Sequence, residues 1–276
     1  MKKFFRRFLR VGLAFILFGV LFTLYSLFSV RDLCNLATTN PKTTAFMEQR
    51  KEEWGDKGSK RKIYQIWVPL SGISPHLRNA VILAEDPNFY RHHGLDFDAI
   101  GLAFRRNLEE GDVKVGASTI TQQLMKNLYL SPSRNPLRKW REAILALRVE
   151  GCVKKSRTLE IYLNVIEWSE STYGIEAAAR RYFGKSAATL DPAESALLAA
   201  MIPNPILFNP YRKSTTLVKR RNRILRAMLH TGKISKAGYE AAVNRPITLR
   251  QEKRGTQGAI NDAPRICSGR FQRAEL

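Results

Sequence analysis

The sequence predicts a mainly α-helical domain behind one N-terminal transmembrane helix, and three observations carry that prediction. Residues 11–30, VGLAFILFGVLFTLYSLFSV, run for twenty positions without a charge, long enough to cross the hydrocarbon core of a bilayer as a helix. Beyond residue 70, apolar side chains recur at spacings of three and four, punctuated by helix-capping residues. Only one short stretch has the composition of a strand. The 276 residues suffice for one domain with appendages, and an apolar content of 44% supports a core.

Taken in order, Lys2, Lys3, Arg6, Arg7 and Arg10 form a basic cytoplasmic segment, 1–10, before the anchor at 11–30. The balanced pair Arg31 and Asp32 follows it, so the N-terminus is expected inside and the remainder outside. A cleaved signal peptide would have a shorter apolar region and a small-residue cleavage site. Residues 31–62 read as a polar connector, helical around 45–54, and 63–248 as the folded, mainly α domain. Within it, IYQIWV at 63–68 is β-like, and Ser74-Pro75 opens a helix that Pro87 ends. Asp96 can cap a helix at 97–108, with Phe97, Ile100, Phe104 and Leu108 on one face. Thr119 and Gln122 form a capping box, as do Asp191 and Glu194, with Pro192 at the first helical position. Residues 215–229 make a basic amphipathic helix stopped near Gly232, and Ser235 starts a last short one. No internal repeat is present. The stretch 249–276, polar, basic and without periodicity, is expected to be a disordered tail.

Lys and Arg outnumber Asp and Glu by 46 to 24, a formal charge of +22, which calls for an anionic partner. With the bulk of the chain outside the cytoplasm, that partner is phospholipid headgroups or a lipid-linked phosphate rather than nucleic acid. Cys34, Cys152 and Cys267 lack metal-like spacing, so no zinc site is expected, and their odd number leaves no complete pairing.

Three stretches bear chemistry. AEDPNFYRHHG at 84–94 puts Glu85 and Asp86 at a helix C-terminus, whose partial negative charge disfavours acids. On a helix at 77–86, Glu85 lies beside Val81 at the edge of the apolar face, and Asp86 points to the polar side with Asn79. A carboxylate there should have a raised pKa, as a general base requires; a surface acid pair neutralised by Arg91 and His92 is the plainer alternative. Adjacent rings diverge, so His92 and His93 suit loop packing or hydrogen bonding better than a metal. GASTITQQLMKN at 116–127 buries Ile120, Leu124 and Leu128. Its polar residues, among them Thr119, Gln123, Lys126 and Gln122, suit a sugar carrying a phosphate as well as they suit a solvated face. In PLRKWREAILALR at 136–148, Leu137, Trp140, Ile144 and Leu147 are expected to face the core. Arg138 and Glu142 stand one turn apart with Lys139 flanking, which fits either an ordinary ion pair or a carboxylate among cations that bind an anion.

These stretches, as Glu85-Asp86-x-x-Phe89-x-x-His92-x-Gly94, Gly116-x-Ser118-Thr119-Ile120-Thr121-Gln122-Gln123-Leu124-x-Lys126-Asn127 and Arg138-Lys139-x-x-Glu142, resemble in order and spacing three signatures of the peptidoglycan glycosyltransferases. A fourth, Lys155-x-x-x-Leu159-Glu160-x-Tyr162-Leu163-Asn164, departs only in Thr158, where the family has an aliphatic residue. Tyr173-Gly174 through Ala177-Ala178 to Tyr182-Phe183-Gly184-Lys185 resembles a fifth. The resemblance covers roughly 78–230. The anchor and short length are similar to the monofunctional form, and the stray Ser59-x-x-Lys62 has no partner motif for acyl transfer.

The resemblance implies a lysozyme-like domain that polymerises lipid II on the outer face of the cytoplasmic (cell inner) membrane. Glu85 would be the general base. Lys126, Arg138, Lys139 and Lys155 would meet the leaving pyrophosphate, and Ser118, Thr121, Gln122, Gln123 and Asn127 would position sugar and phosphate. Glu142 would be the second carboxylate, orienting cations or a divalent metal such as Mg or Mn; no organic cofactor is expected. The implied partners are lipid II, the growing lipid-linked glycan, the membrane, and proteins of cell-wall synthesis or division. Residues 95–115 and the helix with Lys219, Arg220, Arg221, Arg223 and Arg226 are candidates for membrane contact, with a solvated basic face as the competing account of the helix. A lysozyme-like or lytic glycan-cleaving enzyme, or a non-catalytic anchored scaffold, would share parts of this pattern.

Overall fold

A computed structural model describes residues 2–55, 61–110, 116–131, 135–212 and 214–251. Ser59, Cys267 and the tail from residue 252 onward lie outside the described residues. The polypeptide is mainly helical: α1 (Lys2–Phe28), α2 (Ala45–Trp54), α3 (Pro75–Glu85), α4 (Phe97–Glu110), α5 (Ile120–Tyr129), α6 (Pro136–Glu150), α7 (Lys155–Val165), α8 (Ile175–Phe183), α9 (Pro192–Met201), α10 (Thr215–His230) and α11 (Lys236–Asn244). Three short strands, β1 (Tyr64–Gln65), β2 (Glu167–Ser169) and β3 (Thr172–Tyr173), form a sheet in the order β1-β3-β2. β1 runs parallel and β2 antiparallel to β3.

α9 is the central helix. Its run PAESALLAAM is buried from Ala193 to Met201 except at Glu194, and its alanines let α3, α10 and α11 pack against it. α5 packs against α6 and α7, and one continuous cluster of buried apolar residues joins the two groups. The local start signals appear as expected: Thr119–Gln122 and Asp191–Glu194 both close reciprocal capping boxes, and Asp96 accepts from Ala99 N at 2.8 Å.

The expected strand at 63–68 shrinks to two residues because α7 captures the backbone that follows. Asn164 accepts from Val68 N at 2.9 Å and donates to Val68 O at 2.8 Å, and Glu160 accepts from Leu70 N at 2.8 Å. The connector is also more than a tether. Leu33 and Leu36 enter the core cluster, α2 packs against α5, and Arg50 makes a two-nitrogen contact with Glu167 at 2.9 and 3.1 Å.

The expected inner face of α6 is corrected. Trp140 and Leu147 are exposed, and the buried positions are Glu142, Ile144, Leu145, Ala146 and Val149. The outer stripe meets the anchor: Trp140 packs on Phe22 with ring centroids 5.5 Å apart and lies over Gly19, where a Cβ would sit 3.1 Å from the indole. Arg141 stacks over Tyr25 at 5.3 Å, and Arg148 donates to the carbonyls of Leu27 and Val30 at the end of α1. Just beyond α6, Cys152 forms a disulfide with Cys34, the Cα atoms 5.5 Å apart. The odd cysteine count hid this pairing.

Candidate active site

α3 ends at Glu85 because Asp86, which precedes proline, adopts φ −160° and ψ 74°. The two adjacent carboxylates then part company. Asp86 does not point to the polar side but is buried. Its Oδ2 accepts from Ile120 N, the first amide of α5, at 2.9 Å, and its oxygens meet His92 Nε2 at 2.9 and 3.0 Å. An anion there satisfies a helix N-terminus. The same loop is pinned by Thr119 Oγ1, which donates to Gly94 O at 2.6 Å. Gly94 has φ +83°, and a Cβ there would stand 2.8 Å from Ala146 O, so only glycine fits.

Glu85 is left half-buried against α5. Gln123 Nε2 donates to its Oε2 at 2.9 Å. Burial pushes the Glu85 carboxyl above its ordinary value, and Asp86 adds to the rise; the Gln123 hydrogen bond, Arg220 and Lys126 oppose it. Lys126, one turn along α5 from Gln123, is lowered by burial and by Arg138 and Lys139, and raised by Glu142 and Glu85. Its ammonium therefore feels both carboxylates, and it rests over the Phe46 ring of α2 at 5.5 Å.

Glu142, 2% exposed, accepts from Arg138 Nη1 at 2.7 Å and from Lys139 Nζ. Lys139 also donates to Ser118 Oγ at 2.6 Å, which ties the loop before α5 to α6. The residues around Glu142 do not fit a divalent cation. Both its oxygens are taken by cations, and among the described residues no group of three His, Cys, Asp or Glu side chains comes together.

The structure thus gathers Glu85, Gln123, Lys126, Arg138, Lys139, Glu142 and Ser118 around one region. It draws other expected contacts away. Thr121 is fully buried and donates to Glu150 Oε1 at 2.6 Å. Gln122 is buried with its Oε1 on Thr119 N at 3.1 Å, and Asn127 donates to Gln123 O at 2.8 Å. Gln122 and Asn127 serve α5 itself, and Thr121 ties α5 to α6. Lys155 pairs with Glu150 at 2.8 Å and covers the Phe89 ring at 4.5 Å, on the Asp86 side. Sequence reasoning placed Arg220 on a basic helix facing either the membrane or solvent. It instead lies within electrostatic reach of Glu85, its Nε donating to Ala200 O at 3.1 Å and its guanidinium over Phe208 at 5.1 Å. Arg221 is buried and donates to Val243 O at 3.0 Å. The signal that could have found Arg220 is the turn spacing: Leu217, Arg221, Ile224, Leu225 and Met228 mark the buried side, and Arg220 stands at its edge.

A carboxylate held by a neutral amide, with ammonium and guanidinium groups close by, can take a proton from a hydroxyl while cations receive an anionic leaving group. A transglycosylase family model matches residues 52–229. A biosynthetic peptidoglycan transglycosylase of Nitrosospira multiformis is 46% identical over 189 residues, spanning 68% of this chain and 82% of that protein. Its counterpart in Laribacter hongkongensis is 39% identical over 208 residues, 75% of this chain and 91% of that one. The crystal structure of penicillin-binding protein 1A from Haemophilus influenzae aligns at 25% identity and a TM-score of 0.43, over 70% of this chain and 19% of the other.

Proposed function

The chain belongs to the transglycosylase family and is a glycosyltransferase of peptidoglycan synthesis, and from that premise we propose that it polymerises lipid II with Glu85 as general base. In this reading Glu85 takes the proton of the acceptor sugar's 4-hydroxyl. The freed oxygen pair bonds to the anomeric carbon of the growing strand, the bond from that carbon to undecaprenyl pyrophosphate breaks with its electrons on the phosphate, and configuration inverts from α to β. Lys126, Arg138 and Lys139 meet the developing charge, Glu142 holds the latter two in place, and Ser118 and Gln123 line the approach. The single observation that carries the proposal is that Lys126 stands within electrostatic reach of Glu85 on one side and of Glu142, Arg138 and Lys139 on the other. A two-carboxylate glycan-cleaving enzyme would need a free second carboxylate beside its acid, whereas Glu142 is committed to two cations.

The substrate's lipid tail requires a site at the membrane. Supporting this, α1 is apolar enough to cross a bilayer, and α4 turns Phe97, Phe104 and Leu108 outward, 72, 65 and 67% exposed. The five N-terminal cations favour a cytoplasmic N-terminus. The Cys34–Cys152 bridge fits an oxidising compartment for the domain, that is, the periplasmic side.

The test is purified full-length protein with lipid II, product length read on a gel. Wild type should give long strands, and Glu85→Gln should slow synthesis by about 10²- to 10⁴-fold. Failure of wild type to polymerise, or shortening of finished glycan, would refute the proposal; near-wild-type turnover by Glu85→Gln would remove that residue from the base role.

A further inference from the structure

Behind Glu85 stands a residue that the mechanism above leaves unused. Tyr162, on α7, is fully buried, and its hydroxyl donates to Gln123 Oε1 at 2.8 Å. The other end of the same amide donates to Glu85 Oε2 at 2.9 Å. We propose that Tyr162 is a positioning residue for the reaction: it fixes which end of the Gln123 amide faces Glu85, and so sets the rotamer and proton affinity of the base. This rests on the reading of Glu85 as that base.

The argument follows from donor and acceptor inventory. An ionised carboxylate only accepts, so it needs the NH2 end of Gln123, and the amide oxygen must then face the opposite way. That way lies the interior, between α5 and α7, where an unmatched oxygen would be costly. The donor that meets this oxygen is the phenol of Tyr162 on α7. Burial, with Glu85 and Asp86 nearby, raises the Tyr162 phenol well above its ordinary value, so it stays protonated over any assay range. Without it the amide loses its reason to keep nitrogen toward Glu85. A flipped amide would set oxygen against carboxylate, moving the side chain and raising its proton affinity further.

The substitution Tyr162→Phe removes one oxygen and keeps the ring. Full-length protein is assayed with lipid II across pH, alongside wild type and Glu85→Gln, with thermal melting to establish folding. With KM unchanged, kcat near neutral pH should fall about three- to tenfold. The acid limb of the profile should move to higher pH, so that activity is partly regained in alkaline buffer. A loss uniform in pH, or no loss, would overturn the proposal, since ring packing alone cannot shift the limb. Should Tyr162→Phe fail to fold, Tyr162→Met removes the same donor with a side chain that adapts to the space and leaves Gln123 in place: a raised limb supports the proposal and an unmoved one overturns it. Activity in Glu85→Gln would instead sink the reading of the base itself, whatever Tyr162 does.

Discussion

Glu85 and Asp86 are consecutive acids with opposite duties, and the difference lies in their partners. Asp86 receives a backbone amide and an imidazole, so it stabilises the loop that presents Glu85. Glu85 receives one neutral amide and is otherwise held by more distant cations, so it is desolvated without being neutralised. Its raised proton affinity has a sign for stability: the folded state binds that proton more tightly than the unfolded chain, so the contribution is complete at acid pH and lost as pH rises through the folded value. At neutral pH the ionised carboxylate is therefore a burden on the fold. Glu85→Gln should melt at the same temperature as wild type or higher at pH 7.5, and lose that advantage in acid; calorimetry on the solubilised protein checks it. A clear drop in melting temperature at pH 7.5 would mean that Glu85 is a structural ion-pair partner rather than a strained base.

At the scale of elements, α6 joins chemistry to anchor. One side carries Arg138, Lys139 and Glu142, and the other lies on α1 through Trp140, Arg141 and Arg148. The Cys34–Cys152 bridge closes a loop of sequence separation 118 around this junction. Removing a native disulfide typically costs about 2–5 kcal/mol. The double variant Cys34→Ser, Cys152→Ser should accordingly melt several degrees lower and be insensitive to reductant, whereas wild type should fall to the same temperature when reduced. Equal melting of oxidised and reduced wild type would contradict this. The junction also marks where sequence reasoning stops. Caps were legible because they are closed by residues three apart: Thr119 with Gln122, Asp191 with Glu194. The periodicity of Leu137, Trp140, Ile144 and Leu147 identified an apolar stripe but not its partner, because periodicity cannot distinguish a protein core from an anchor helix or lipid. The same limit hid Arg220, whose neighbour Glu85 is distant in sequence, and turned Thr121 and Gln122 into expected ligand contacts when their partners are Glu150 and their own helix cap. The core of the site, Glu85 with Lys126, Arg138, Lys139 and Glu142, was legible from the resemblance of its spacings to a known family.

For the whole molecule, the proposed lipid-linked substrate raises the question of how the domain reaches a tail that stays in the bilayer. Trp140 meets α1 at Gly19, nine residues before Phe28, which at the rise of an α-helix is about 14 Å below the end of the anchor. In the proposed reading of α1 as the membrane span, this contact brings the start of α6 to the membrane. The outward apolar side chains of α4, flanked by the exposed Arg105 and Arg106, supply a second contact. Apolar residues can enter the acyl region while guanidinium groups meet anionic headgroups. Two contacts fix a tilt that one anchor cannot. Replacing Phe97, Phe104 and Leu108 together by Ser should change melting in detergent little, because these side chains are largely exposed. Polymerisation of lipid II in bilayer vesicles should fall at least tenfold, about 1.4 kcal/mol of lost membrane contact, while activity in detergent micelles changes little. Equal rates for the variant and wild type in vesicles would show that the anchor alone seats the enzyme; a parallel loss in micelles would place these residues in substrate binding instead.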